Sequence, residues 1–205
     1  MKKEIRRLII IAVLWIFLKI FEYYLVMPLF LISAFWLLGF FVLFLIIFIY
    51  QIIRLIVERK NLKKIRIIKA LFWGLIFYFT VNFKHAASII EKADWHILYR
   101  KRMEIVEQVK NKELNPNVDW NDDLCELPFE FPIVSISGND IIIERNERTQ
   151  TTTVAFFVNR GMLSSSTCFI YTNDDENIRK YNSLIRKDSE SNWKLKENWY
   201  RIRKD

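Results

Sequence analysis

The chain has 205 residues and a net charge of +8, from 31 Lys+Arg against 23 Asp+Glu, but that charge is unevenly spread. Residues 1–83 hold 12 basic and 3 acidic side chains, whereas residues 84–205 hold 19 and 20. A near-neutral second half excludes the one-sided basic footprint of a nucleic-acid binder, and four glycines in the whole chain leave little for a phosphate-cradling loop.

The N-terminal segment MKKEIRR is basic and precedes an apolar run over residues 8–27. About 20 residues suffice to span a bilayer. A signal peptide begins in the same way, but no short apolar core ending in a small-x-small site follows, so the run reads as an anchor. Lys19 and Glu22 interrupt it. They are three apart and therefore able to pair on one helix face. Pro28 marks a turn between helices. Residues 29–53 are apolar almost throughout, with Ser33 and Gln51 as the notable polar members, and form the strongest candidate span.

Residues 54–69 contain Arg54, Arg59, Lys60, Lys63, Lys64, Arg66 and Lys69 against Glu58 alone. This is the signature of a cytoplasmic loop. Arg59, Lys60, Lys63, Lys64 and Arg66 also make a candidate patch for lipid headgroups. Residues 67–83 read as a third, short span whose Lys69 snorkels to the headgroups. The stretch 65–112 has no Pro and a single Gly, Gly74, which allows one continuous helix of roughly 70 Å. Three spans and the positive-inside rule predict a bacterial cytoplasmic (inner) membrane protein with its N-terminus inside. Residues 84–205 are then a soluble α+β domain outside.

Within 84–112, Ala86, Ile90, Ala93, Ile97, Ile105 and Val109 recur at helical intervals, widened by Leu98, Met103 and Val106. Such a helix needs a covering layer. Residues 113–131 read as an irregular loop. Strand-like runs then follow at 131–137, 141–143, 151–158 and 165–172, separated by Ser137-Gly138-Asn139-Asp140, by residues 145–148 and by Asn159-Arg160-Gly161. Residues 173–176 form an acidic loop, 177–186 a helical turn, and 193–203 a last strand or strand pair. The fold class expected is thus a membrane helical part joined to a long helix on an antiparallel β-meander.

Candidate chemistry is sparse. His85 and His96 are eleven residues apart on one helix, some 16 Å by rise, too far to share a metal. Ser164, Ser165, Ser166 and Thr167 lack a nucleophile elbow. Asp119, Asn121, Asp123 and Glu130 fall at positions 1, 3, 5 and 12 of a calcium-loop pattern, but Leu124 occupies the glycine position and Pro128 interrupts the loop. A polar turn accounts for the same residues. Cys125 and Cys168 are a disulfide candidate if the domain faces an oxidising compartment. Trp193, Trp199 and Tyr200 form either an aromatic binding surface or part of the core. No cofactor is implied.

RMEIVEQVKNKELNP at 102–116, Leu127-Pro128, Phe156-Phe157 and Arg160-Gly161 resemble a group of bacterial multi-pass membrane proteins with a soluble C-terminal half. That likeness covers residues 95–172 and brings no activity. The helix-plus-meander layout is similar to that of type IV pilins, although this chain has three hydrophobic segments and no processing site before the first. The functions to weigh are a membrane-anchored binding protein, such as an immunity or accessory protein for a membrane-acting partner; an envelope enzyme or calcium-dependent module; and a pilin-like structural subunit. The partners expected are the lipid bilayer and a protein.

Overall fold

The structure, a computed structural model, describes residues 2–25, 30–128, 130, 132–136, 138–160 and 165–204, without side chains at 25, 30–34 and 83. The turn at Pro28, Gly161, Ser164, Phe131 and Ser137 lie outside the described residues. The chain divides into two compact units, residues 1–93 and 94–205.

The first unit holds α1 (Lys2–Leu25), α2 (Phe30–Val57), a 3-10 turn (Arg59–Asn61), α3 (Lys64–Val81) and the first turns of α4 (Phe83–Lys110). Helices α2 and α3 lie against each other, with Phe48 stacked on Phe77 at 5.1 Å. Gly74 lies at this contact, where a Cβ would stand 3.4 Å from the Phe48 ring, an ordinary van der Waals distance. Trp15 Nε1 donates to Thr80 Oγ1 at 3.3 Å and ties α1 to α3. Lys19 and Glu22 pair at 2.8 Å, as their spacing predicts.

Two expectations about this unit change. Among the described residues one helix, Phe35–Val57 within α2, is long and apolar enough to cross a membrane, where three were expected. Helix α1 carries the Lys19–Glu22 pair within its apolar run. Helix α3 opens with Lys64, Arg66 and Lys69, and its 18 residues reach about 27 Å, short of the ~30 Å hydrocarbon core. The second change is that residues 65–112 are not one rod. Asn82 adopts φ −92°, ψ 62°, outside the helical region. Its N–H and its Nδ2 both donate to the Tyr78 carbonyl, at 2.9 and 3.0 Å, which finishes α3. Its own carbonyl accepts from His85 N as α4 begins.

The second unit is a six-stranded antiparallel sheet between two helices. Its strands are β1 (Leu124–Glu126), β2 (Asp140–Asn146), β3 (Thr151–Asn159), β4 (Ser166–Thr172), β5 (Trp193–Lys196) and β6 (Trp199–Lys204), in the order β1-β2-β3-β4-β6-β5. Helix α5 (Asp175–Lys187) connects β4 to β5. Pairing fixes which side chains share a face. The set Ile142, Ala155 and Ile170 is in register with Tyr200. With Leu124, Phe157, Cys168 and Ile202 it buries against Tyr181 of α5, and Ile178, Leu184 and Ile185 pack around it. The opposite set, Ile141, Phe156 and Phe169 with Val154, Tyr171 and Trp199, faces α4. There Trp95 meets Phe169 at 5.2 Å and Trp199 at 5.1 Å.

The expected helix on a meander is present, but the sheet is covered on both faces. Residues 177–186 form most of a 13-residue helix rather than a single turn. Asp174 caps it, its Oδ1 accepting from Glu176 N at 2.9 Å and Asn177 N at 3.0 Å, a side-chain replacement for the orphan donors of a helix start. The buried stripe of α4 also differs from expectation. Trp95, Leu98, Arg102, Ile105, Val106 and Val109 are buried, whereas Ile97 is 75 % exposed. These six follow i, i+3, i+7, i+10, i+11 and i+14, one face of a 3.6-residue helix.

Residues 132–136 are not a strand. Ile136 N donates to Phe157 O and Phe157 N to Ser135 Oγ, both at 2.8 Å, so the segment borders β3 without a ladder. Asn139, at φ 68°, holds it there. Its Oδ1 accepts from Val134 N at 2.9 Å and its Nδ2 donates to Pro128 O at 2.8 Å.

Candidate functional site

The basic connection between α2 and α3 is built around one carboxylate. Glu58 accepts from Arg66 through both oxygens, Nε to Oε2 at 2.9 Å and Nη2 to Oε1 at 3.0 Å, and pairs with Arg54 at 2.8 Å. The Arg66 hydrogen bonds first, and the Arg54 charge after them, hold the Glu58 carboxyl below its usual range. Bidentate geometry of this kind positions a chain as well as pairing charges. Here it fastens the end of α2 to the start of α3. Arg66 therefore leaves the expected headgroup patch and becomes a structural clamp. Arg59, Lys60, Lys63 and Lys64 remain exposed beside it. Because Glu58 is shared by two arginines, it neutralises none of these four by direct contact.

The polar loop closes on itself as a tight turn. Asn121 Oδ1 accepts from Asp123 N at 3.0 Å, and Asn121 bridges back to Val118, which makes a tight Asx turn. Leu124 leads directly into β1 and is buried at 2 % exposure. Glu130 falls beyond β1. Among the described residues no group of three His, Cys, Asp or Glu stands close enough to hold a metal. The calcium pattern formed by Asp119, Asn121, Asp123 and Glu130 is thus replaced by a turn and an edge strand.

Cys125 and Cys168 do not bond. Cys125 pairs opposite Ile141 on the α4 face, whereas Cys168 pairs opposite Phe157 and Ile202 on the α5 face. They stand on β1 and β4, three strand spacings or about 14 Å apart, while a disulfide needs Cα atoms within about 7 Å. Burial pushes the Cys168 thiol up to about 11 and raises that of Cys125. Both thiols should react with maleimide only after unfolding, and electrophoretic mobility should not change on reduction. A band shift on reduction would contradict this arrangement.

The remaining candidates take structural places. His85 and His96 are exposed on α4, and His85 stacks on Tyr78 at 6.0 Å. Ser165 Oγ accepts from Arg203 Nε at 2.6 Å, Ser166 begins β4, and Thr167 is buried. Trp199 and Tyr200 are core residues, each 1 % exposed, and Trp193 lies under the Arg201 guanidinium at 4.2 Å.

Two arginines not singled out by sequence reasoning organise the second unit. Arg102, 2 % exposed, donates to Asp94 Oδ2 at 2.6 Å and to the Val134 carbonyl at 3.0 Å. Its guanidinium lies over Phe169 at 4.9 Å, a cation–π contact. Arg145 of β2 donates to the carbonyls of Val109 and Leu114 and to Asn115 Oδ1, closing the C-terminal end of α4. The only sequence signal for Arg102 is its position on the i, i+3, i+4 stripe between Leu98 and Ile105. Charged residues on such a face are ordinarily assigned to solvent.

Comparison with protein-family models, with curated proteins and with solved structures found no match.

Proposed function

We propose that the chain is a bacterial cytoplasmic-membrane protein whose helical unit anchors an α+β interaction domain. The observation that carries the anchor is the inverted polarity of the first unit. Its helices expose Leu14 (64 %), Phe17 (66 %), Phe35 (78 %) and Leu71 (69 %). Apolar side chains exposed on several helices of one unit mark a membrane or an interface, and Phe35–Val57 supplies the length to cross. In this reading α1, with Lys19 and Glu22 paired to each other, and α3, whose shortfall in length local thinning of the bilayer would meet, cross beside α2. The N-terminus and the 54–69 loop face the cytoplasm, Arg59, Lys60, Lys63 and Lys64 lie at anionic headgroups, and the α+β domain is outside.

The domain fills both faces of its sheet internally, so a protein partner would meet its edges and turns. Trp120, 71 % exposed on the turn before β1, is the anchor we assign to that partner. The class is an interaction module, with an immunity or accessory role toward a membrane-acting protein as its concrete version.

Sidedness is tested with Ser189→Cys, an exposed position, since the two native thiols are buried. Labelling of intact cells by a membrane-impermeant maleimide supports the outward domain. Labelling only after lysis places the domain inside and removes the envelope partner. A photo-crosslinking residue at position 120 should give a discrete adduct that a Ser189 crosslinker does not give, and equal adducts at both positions would argue against an anchor at Trp120.

A further inference from the structure

The first unit forms a half-open cavity of about 480 Å³ between α1, α2 and α3, within the range of small-molecule pockets. Lys19 and Glu22 of α1, Trp36, Phe40 and Phe44 of α2, and Thr80 of α3 are among its walls. Lys19 and Glu22 are 5 % and 7 % exposed. Ionisable side chains are costly in a membrane-embedded helix bundle, and where they occur they commonly line a substrate or ion site. Apolar packing would serve α1 without them. Instead the two charges pair with each other in the cavity wall.

The composition of the wall narrows the ligand. Lys19 and Glu22 pair at 2.8 Å, so the site carries both signs and no net charge from them. That disfavours a carboxylate or phosphate and favours a neutral molecule with polar oxygens. The rest of the wall is aromatic. Trp36 and Phe40 meet edge-to-face at 4.9 Å, and Phe40 and Phe44 stack at 5.9 Å. Such surfaces suit the face or edge of a flat ring better than a flexible acyl chain. We infer that this cavity binds a lipid-soluble, uncharged ring compound bearing carbonyl or hydroxyl oxygens, of the quinone class, with the ring among Trp36, Phe40 and Phe44 and an oxygen at the Lys19–Glu22 pair. The inference concerns binding and assigns no electron transfer. It rests on the helical unit lying in the membrane.

The test uses the full chain in nanodiscs of zwitterionic lipid, photolabelled with an azido-quinone and mapped by mass spectrometry. Adducts should fall on the α1 and α2 walls, disappear with excess decylubiquinone, and drop at least tenfold in Lys19→Met/Glu22→Met. If that variant does not fold, Leu18→Trp, which fills the cavity from a lining position, should cause the same loss. Adducts spread over Leu14, Phe17 and Ile46 without competition overturn the site. Competition by oleate or phosphatidylglycerol as effective as by decylubiquinone identifies a lipid occupant and also overturns it. Carbonate extraction of membranes from cells expressing the chain separates the two readings. A chain that is retained but not labelled refutes only the ligand, whereas a chain that washes off refutes the membrane location and this inference with it.

Discussion

Arg102→Ala is expected to destabilise the α+β unit by about 3–5 kcal/mol, because it removes the cationic half of a buried ion pair. Asp94 is 5 % exposed and receives Arg102 Nη2 at 2.6 Å, and the Val134 carbonyl loses its donor in the same step. The measurement is a urea titration of the detergent-solubilised chain, followed by near-UV circular dichroism of the ring cluster around Trp199. The partner control is Asp94→Asn/Arg102→Met, which removes both charges and keeps most of the side-chain volume. It should recover much of the loss, since an apolar replacement of a buried pair is often neutral. If Arg102→Ala left the midpoint within an equivalent of about 0.5 kcal/mol, the pair would have to be solvated in the native state, and its burial between α4 and the sheet would be wrong.

Trp199→Ala should cost a comparable 3–5 kcal/mol, through lost burial and the cavity left behind. Trp199 is 1 % exposed and is the hub of the α4-facing layer. Its ring lies 5.1 Å from Trp95, 6.0 Å from Tyr99, 5.9 Å from Phe156 and 5.6 Å from Tyr171. Its Nε1 donates to Met103 Sδ at 3.2 Å. Trp199→Phe should retain most of the stability, losing ring volume and this weak bond. Trp193→Ala, at a half-buried edge position, should cost less than about 1 kcal/mol, in line with exposed substitutions away from packed features. Equal effects at Trp193 and Trp199 would mean that the two aromatics serve a common surface, the alternative their spacing left open.

Local signals were sufficient for β2, β3, β4 and the C-terminal strand pair. Alternating and β-branched runs at 141–143 and 151–158 lie in β2 and β3, the run at 165–172 begins one residue before β4, and Gly138-Asn139 supplies the positive-φ turn, at 105° and 68°. The pair of strands at 193–203 closes through Asn198 at φ 61°. β1 was not legible, because three residues, Leu124–Glu126, carry too little periodicity beside the polar Asx turn that precedes them. Residues 131–137 misled in the opposite direction. Ile133, Val134 and Ile136 are buried, but Asn139 captures the backbone that a ladder would have used. Helix α5 has its signals in the sequence, Asp174 as a cap and Ile178, Tyr181, Leu184 and Ile185 at helical spacing, and it extends well beyond the single turn expected there.

The site residues divide by the same logic. The pairing of Lys19 with Glu22 follows from an i, i+3 interval, which acts within one helix. The dual hold on Glu58 by Arg54 and Arg66 needs two helices, so composition presented Arg66 as one more cation in a basic loop. Whether Cys125 and Cys168 bond depends on strand order and face parity, and neither is contained in the number of intervening residues.

What the sequence determined by itself is the division into a basic, apolar first part and a near-neutral α+β second part, because charge and hydrophobic periodicity act over a few residues. The tertiary structure decided which stripe of α4 is buried, why Arg102 belongs to it, and that the two cysteines lie on opposite faces. Those outcomes depend on the sheet and its flanking segment, such as Val134, 32 residues beyond Arg102, as well as on Asp94 of the same helix. A buried charge is tolerated only where the carboxylate, carbonyl and ring faces that compensate it have been brought together.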